Sequence, residues 1–79
     1  MEAPEHLHIF VNRRRFGAAD GVRARMTGGQ IAGLVHVPPG NAVVRCETPP
    51  HVGEVGIDQE IEIHDGEHFL VTRRVVEGG

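Results

Sequence analysis

Apolar side chains at Leu7, Ile9 and Val11 alternate with His6, His8 and Asn12, the period of two that marks a strand with one buried face. Phe10 falls on the polar side of that alternation and is expected outside the core. Asn12-Arg13-Arg14-Arg15 reads as a polar turn, and residues 21–26 as a second short strand that completes an N-terminal hairpin. Thr27 followed three positions later by Gln30 matches a capping box, in which hydroxyl and amide each satisfy a backbone N–H at a helix start. Ile31, Leu34 and Val35 then stand at i, i+3 and i+4 and share one helical face. Val37-Pro38-Pro39-Gly40 is expected to stop that helix after two to three turns, because proline has no N–H to donate and clashes with the preceding turn.

Alternation returns at Ala42, Val44 and Cys46, which predicts a third strand, and the segment 47–59 is rich in Pro and Gly and reads as a loop. Ile61 and Ile63 alternate with Glu60, Glu62 and His64. Asp65-Gly66 is a tight-turn signal and predicts a hairpin into a last strand with Phe69, Val71 and residues 72–75. Strand, strand, helix, strand, strand, strand predicts an α+β domain of the β-grasp type, a mixed sheet of four to five strands packed on one short helix. In that arrangement the first and last strands lie side by side in the middle. The expected core is Leu7, Ile9, Val11, Ile31, Leu34, Val35, Val44, Cys46, Ile61, Ile63, Phe69 and Val71. Residues 1–76 are expected to form the domain and residues 77–79 a flexible tail.

Composition narrows the function. With 79 residues there is room for one modest core and none for an enzyme with its own deep cleft. Hydrophobic residues are 39% of the chain, charged residues 24%, and the net charge is -3, a globular balance that gives nucleic-acid binding no support. No apolar run approaches the roughly 20 residues that cross a bilayer, and the start of the chain has no apolar signal core, so a cytoplasmic protein without a membrane partner is expected. Cys46 stands alone and reads as a small core residue. Six histidines raise the question of a metal, with His6 and His8 on one strand face and His68 on a neighbour. No acidic or cysteine residue has the spacing of a closed zinc site, so no metal is expected. Gly28-Gly29 lacks the lysine and spacing of a phosphate loop. All eight basic residues are arginine, and there is no lysine.

Val37-Pro38-Pro39 after the helix is similar to the Ile-Pro-Pro of ubiquitin, and Arg73-Arg74 leads through Val75-Val76-Glu77 to Gly78-Gly79, as ubiquitin's basic tail leads to its di-glycine. With the strand order, these features make the chain resemble ubiquitin and its bacterial relatives of the multi-ubiquitin type, from Leu7 to Gly79. The resemblance implies a protein modifier rather than an enzyme. The carboxylate of Gly79 would be adenylated by an activating enzyme that uses ATP and magnesium, passed as a thioester to a conjugating enzyme and attached to target proteins. No cofactor would stay bound. A deconjugating metalloprotease is a further implied partner, and such bacterial systems are in some cases linked to phage defence.

Within that reading each residue has a physical part. Gly78 and Gly79 have no Cβ, so the tail can enter a narrow channel and take backbone angles closed to other residues. Arg73 and Arg74 stand where acidic grooves of the processing enzymes can pair with them. Phe10, Val43, Arg45 and Leu70 are expected on the outer sheet face, where ubiquitin presents its docking patch. Without lysine the chain can donate its carboxylate, yet it offers no side-chain amine as an acceptor. Two other functions use the same architecture: a sulfur carrier ending in a thiocarboxylate, and a non-covalent interaction module.

Overall fold

The alternation at the start of the chain becomes strand β1 (His8–Val11), with Ile9 and Val11 fully buried and His8 and Phe10 half-buried on the opposite face. A computed structural model gives this fold, and the structure describes residues 7–74. Asn12 and Arg13 both have positive φ, 53° and 70°, as a two-residue hairpin turn of type I′ requires. The turn sends the chain straight back into β2 (Arg14–Gly17), paired antiparallel with β1 so that Ile9 faces Phe16 and Val11 faces Arg14. The second strand is therefore residues Arg14–Gly17, followed by a single 3-10 turn (Ala18–Asp20), and of the expected strand over 21–26 only the end is strand, in a short β3 (Arg25–Thr27). The polar turn shrinks from four residues to two because Phe16 has a place in the core that draws Arg14 and Arg15 into the sheet.

Helix α1 (Gly28–Leu34) opens as its capping box requires: the Gln30 N–H donates to Thr27 Oγ1 at 3.2 Å and the Thr27 N–H donates to Gln30 Oε1 at 2.9 Å. Two more N–H groups of the first turn are satisfied from outside, Gly28 by the Gly56 carbonyl at 3.2 Å and Gly29 by that of Ile57 at 3.0 Å. The helix ends before the prolines reach it. His36 takes a left-handed φ of 61°, its N–H bonds the Gly33 carbonyl and the Val37 N–H bonds that of Ala32, both at 3.1 Å. That pairing is a Schellman motif with histidine where glycine is usual, and Val37 is buried behind it.

Strands β4 (Ala42–Cys46), β5 (Gly53–Val55) and β7 (Glu67–Arg73) complete a five-stranded mixed sheet in the order β2-β1-β7-β4-β5. Only β1 and β7 run parallel, and they lie side by side in the centre, as expected. The segment 47–59 is not all loop: β5 within it pairs with β4 and buries Val55. The Asp65-Gly66 turn forms, with Gly66 at φ 82°, but it joins strands of different sheets and makes no hairpin. Strand β6 (Glu60–Glu62) pairs with β3 in a separate two-stranded ribbon that buries Met26 and Ile61.

The result is an α+β domain with helix and ribbon on one side of the sheet. Its core holds the expected residues, with Leu34 and Val35 only partly buried, and adds Phe16, Val22, Met26, Ala32, Val37, Ala42 and Val55. Among the described residues no helix is long and apolar enough to cross a membrane.

Candidate functional site

Side chains on β1, β7 and β4 that do not face the helix form a band across the middle of the sheet. Register sets it: Phe10 lies opposite His68, Leu70 opposite Arg45, and Thr72 opposite Val43. The four expected patch residues, Phe10, Val43, Arg45 and Leu70, are thus brought onto one face of three adjacent strands. Leu70 is 39% exposed, an unusual degree for a large apolar side chain in the central strand of a sheet. Phe10 is half-buried because rings cover it: His68 stacks on it at 4.6 Å between centroids, and His8 meets its edge at 5.5 Å.

His68, read beforehand only as a possible ligand, belongs to this aromatic group. Beside Leu70 it also lines a shallow depression of about 350 Å³ with Asn12, Arg13 and Glu47. The depression is fixed by hydrogen bonds on both flanks, and on the β1 side the Asn12 N–H donates to the Phe69 carbonyl at 3.0 Å. The Glu47 N–H donates to the His68 carbonyl at 2.8 Å, and the His68 N–H donates to Thr48 Oγ1 at 3.1 Å. No periodicity argument finds Asn12, Arg13 or Glu47, since each lies just past a strand end.

Exposed Arg45 stands at the β4 side of the band and exposed Arg13 and Arg15 at its β1–β2 side, while Glu54 stands opposite Arg45 in register and Asp65 bonds His8 at 2.9 Å. The face therefore offers an apolar and aromatic centre with cations at its margin, inside a chain whose net charge is -3. A surface of this kind is complementary in shape and charge to an apolar anchor with acidic flanks.

Arg73 is the last residue of β7 and is exposed; in register it faces Ala42. Arg74 is exposed too, and its N–H donates to the Asn41 carbonyl at 2.6 Å, which ties the chain to the sheet one residue beyond the strand. Gly78 and Gly79 lie outside the described residues, as do His6 and the tail boundary at 77–79. Among the described residues no three His, Cys, Asp or Glu side chains are grouped so as to hold a metal ion.

On the inner face Cys46 is fully buried, and burial pushes its thiol above the ordinary value of 9.0, with the negative charge of Glu67 acting in the same direction. Such a sulfur stays protonated and is a poor nucleophile at neutral pH. These features define a small α+β domain with an apolar, cation-rimmed sheet face. No family model, curated protein or solved structure matches the chain.

Proposed function

We propose that the protein is a ubiquitin-like modifier on a β-grasp fold, which donates the carboxylate of Gly79 to target proteins. The observation that carries this reading is the place of β7. It is the central strand, held by β1 on one side and β4 on the other, and it leads the chain through two exposed arginines towards Gly78-Gly79. A carboxylate that must reach into another enzyme gains from a rigid base and a tail without Cβ atoms at its end.

The chemistry belongs to the partners. An activating enzyme joins the Gly79 carboxylate to the α-phosphate of ATP, with pyrophosphate as leaving group and magnesium to balance the phosphate charge. A cysteine thiolate of that enzyme then displaces AMP to give a thioester. Transfer to a conjugating enzyme's cysteine and attack by a target amine release the thiol and form an amide. Arg73 and Arg74 supply paired cations for acidic grooves on these enzymes, and the Phe10–Leu70 band supplies the docking face. With no lysine in the chain, lysine-linked polymers of the modifier do not form.

The test adds an N-terminally tagged chain and ATP to a lysate of its source, then recovers adducts. Trypsin cuts after Arg74, so an acceptor should carry a Val-Val-Glu-Gly-Gly remnant. Persistence of the same adducts after deletion of Gly79 sinks the reading. Sulfur in place of oxygen on the terminal carboxyl, without adducts, would instead identify a carrier.

A further inference from the structure

Glu67 is the one charged residue buried among those described, and its position on β7 alternates with the core residues Phe69 and Val71. A buried carboxylate is costly unless its oxygens are paired. Oε1 is paired, accepting the His64 N–H at 2.7 Å. Oε2 is not equally served: its neighbours are the Cys46 thiol at 3.7 Å and His51 Nδ1 at 3.6 Å, the latter beyond hydrogen-bonding distance. His51 Nδ1 is itself buried and makes no hydrogen bond. Two underused polar atoms thus face each other, one on the sheet and one on the 47–52 loop.

We propose that His51 is a proton-operated clasp, which on gaining a proton donates from Nδ1 to Glu67 Oε2 and fastens the 47–52 loop to the sheet. Imidazole is the side chain suited to this between pH 8 and 5, because protonation makes both ring nitrogens donors. A shift of well under 1 Å brings the 3.6 Å contact into the range of a charge-assisted bond. Other titratable groups face the pair from each neighbouring element. Cys46 on β4 is held as the thiol. His64, before β7, lies with its ring 5.4 Å from that of His51. Glu62 on β6 is 3.8 Å from His64 Nε2.

The clasp bears on the outer face. The same loop begins with Glu47 and Thr48, whose bonds to the His68 backbone frame the depression beside Leu70. Fastening at His51 orders the far end of a segment whose near end borders that depression. The inference does not depend on the chain being a modifier.

Amide hydrogen exchange of Glu47 and His68, the bonded N–H groups that tie this loop to β7, measured in the full chain and divided by the intrinsic rate at each pH, tests it. Between pH 8 and 5.5 the opening constant of these amides should fall about threefold to tenfold, the gain expected from one added hydrogen bond. His51→Asn should remove the change, as should Glu67→Gln where it folds, while His64→Asn should keep most of it. A flat wild-type response, or a pH response retained in His51→Asn, overturns the clasp. His51 is partly exposed, so its replacement leaves the fold intact and the comparison decisive even if Glu67→Gln does not fold.

Discussion

The side-chain amide of Asn12 is bonded at both ends to the backbone of Val71: Nδ2 donates to the carbonyl at 3.0 Å and Oδ1 accepts the N–H at 2.7 Å. Strand β1 stops at Val11, whereas β7 continues to Arg73, so the amide takes the place of the missing peptide unit along the central strand. The same residue adopts the left-handed φ of the hairpin turn, which asparagine tolerates better than most residues. Asn12→Ala should therefore cost about 2–3 kcal/mol, two hydrogen bonds plus the backbone strain of a residue ill-suited to that φ. Asn12→Gly should recover about 1 kcal/mol of that loss by removing the strain alone. Urea unfolding of the three proteins checks both values.

Three substitutions around α1 should separate packing from backbone conformation. A Cβ on Gly28 would lie 2.4 Å from the Gly56 carbonyl oxygen, so Gly28→Ala should destabilise by about 2 kcal/mol as the 56–57 segment is pushed off the helix start. Gly33 has nothing within 4 Å of the same added atom and an ordinary helical backbone, so Gly33→Ala should stabilise by about 0.5–1 kcal/mol. His36→Gly should stabilise by about 0.5 kcal/mol, because it relieves the left-handed φ at the Schellman turn. Thermal melts that rank Gly28→Ala at or above wild type would contradict the close approach.

What could be read from the chain depended on how local each signal was. Strands β1 and β4 and the Thr27–Gln30 capping box declare themselves within a few residues, by alternation or by a fixed spacing. Strand β2 does not, because its single inward residue, Phe16, stands among three arginines and leaves no alternation to count. Strand β5 buries only Val55, and β6 alternates clearly but chooses β3 as partner through a long-range pairing that the Asp65-Gly66 turn does not encode. The helix stop is missed for a related reason: a left-handed histidine carries no sequence signature, while the prolines beyond it do. On the sheet face, alternation locates Phe10, Val43, Arg45 and Leu70. The stacking of His68 on Phe10 follows from the β1–β7 register, which only the fold supplies.

The alkaline limb of the stability curve should report Cys46 with little interference. The chain contains no lysine and no tyrosine, and arginine keeps its charge throughout, so the amino terminus and Cys46 are the groups able to titrate above pH 8. Burial raises the folded thiol above 9.0, so its contribution to stability is complete below that value and is lost as pH rises through the folded value. Urea midpoints should be level from pH 7.5 to about 8.5 and fall beyond 9. Cys46→Ala should start lower, by about 1 kcal/mol for the small cavity, and show a flatter alkaline limb. An equal slope in both proteins would assign the alkaline loss elsewhere.

Arg73 and Arg74 offer a means of telling recognition from structure at the base of the tail. Both side chains are exposed, and the bond that ties Arg74 to Asn41 uses the backbone N–H, so changing the side chains leaves the anchor in place. Arg73→Glu with Arg74→Glu should shift the unfolding midpoint by less than about 0.5 kcal/mol equivalent, as surface substitutions generally do. If acidic grooves on processing enzymes read these two cations, the same double variant should lower Gly79-dependent adduct formation on the order of tenfold or more. The loss should ease when salt is raised, since screening weakens the new repulsion. Gel densitometry of the tagged adducts, normalised to input, measures it. Wild-type adduct levels from the double variant would leave the tail arginines as solubilising groups with no part in recognition.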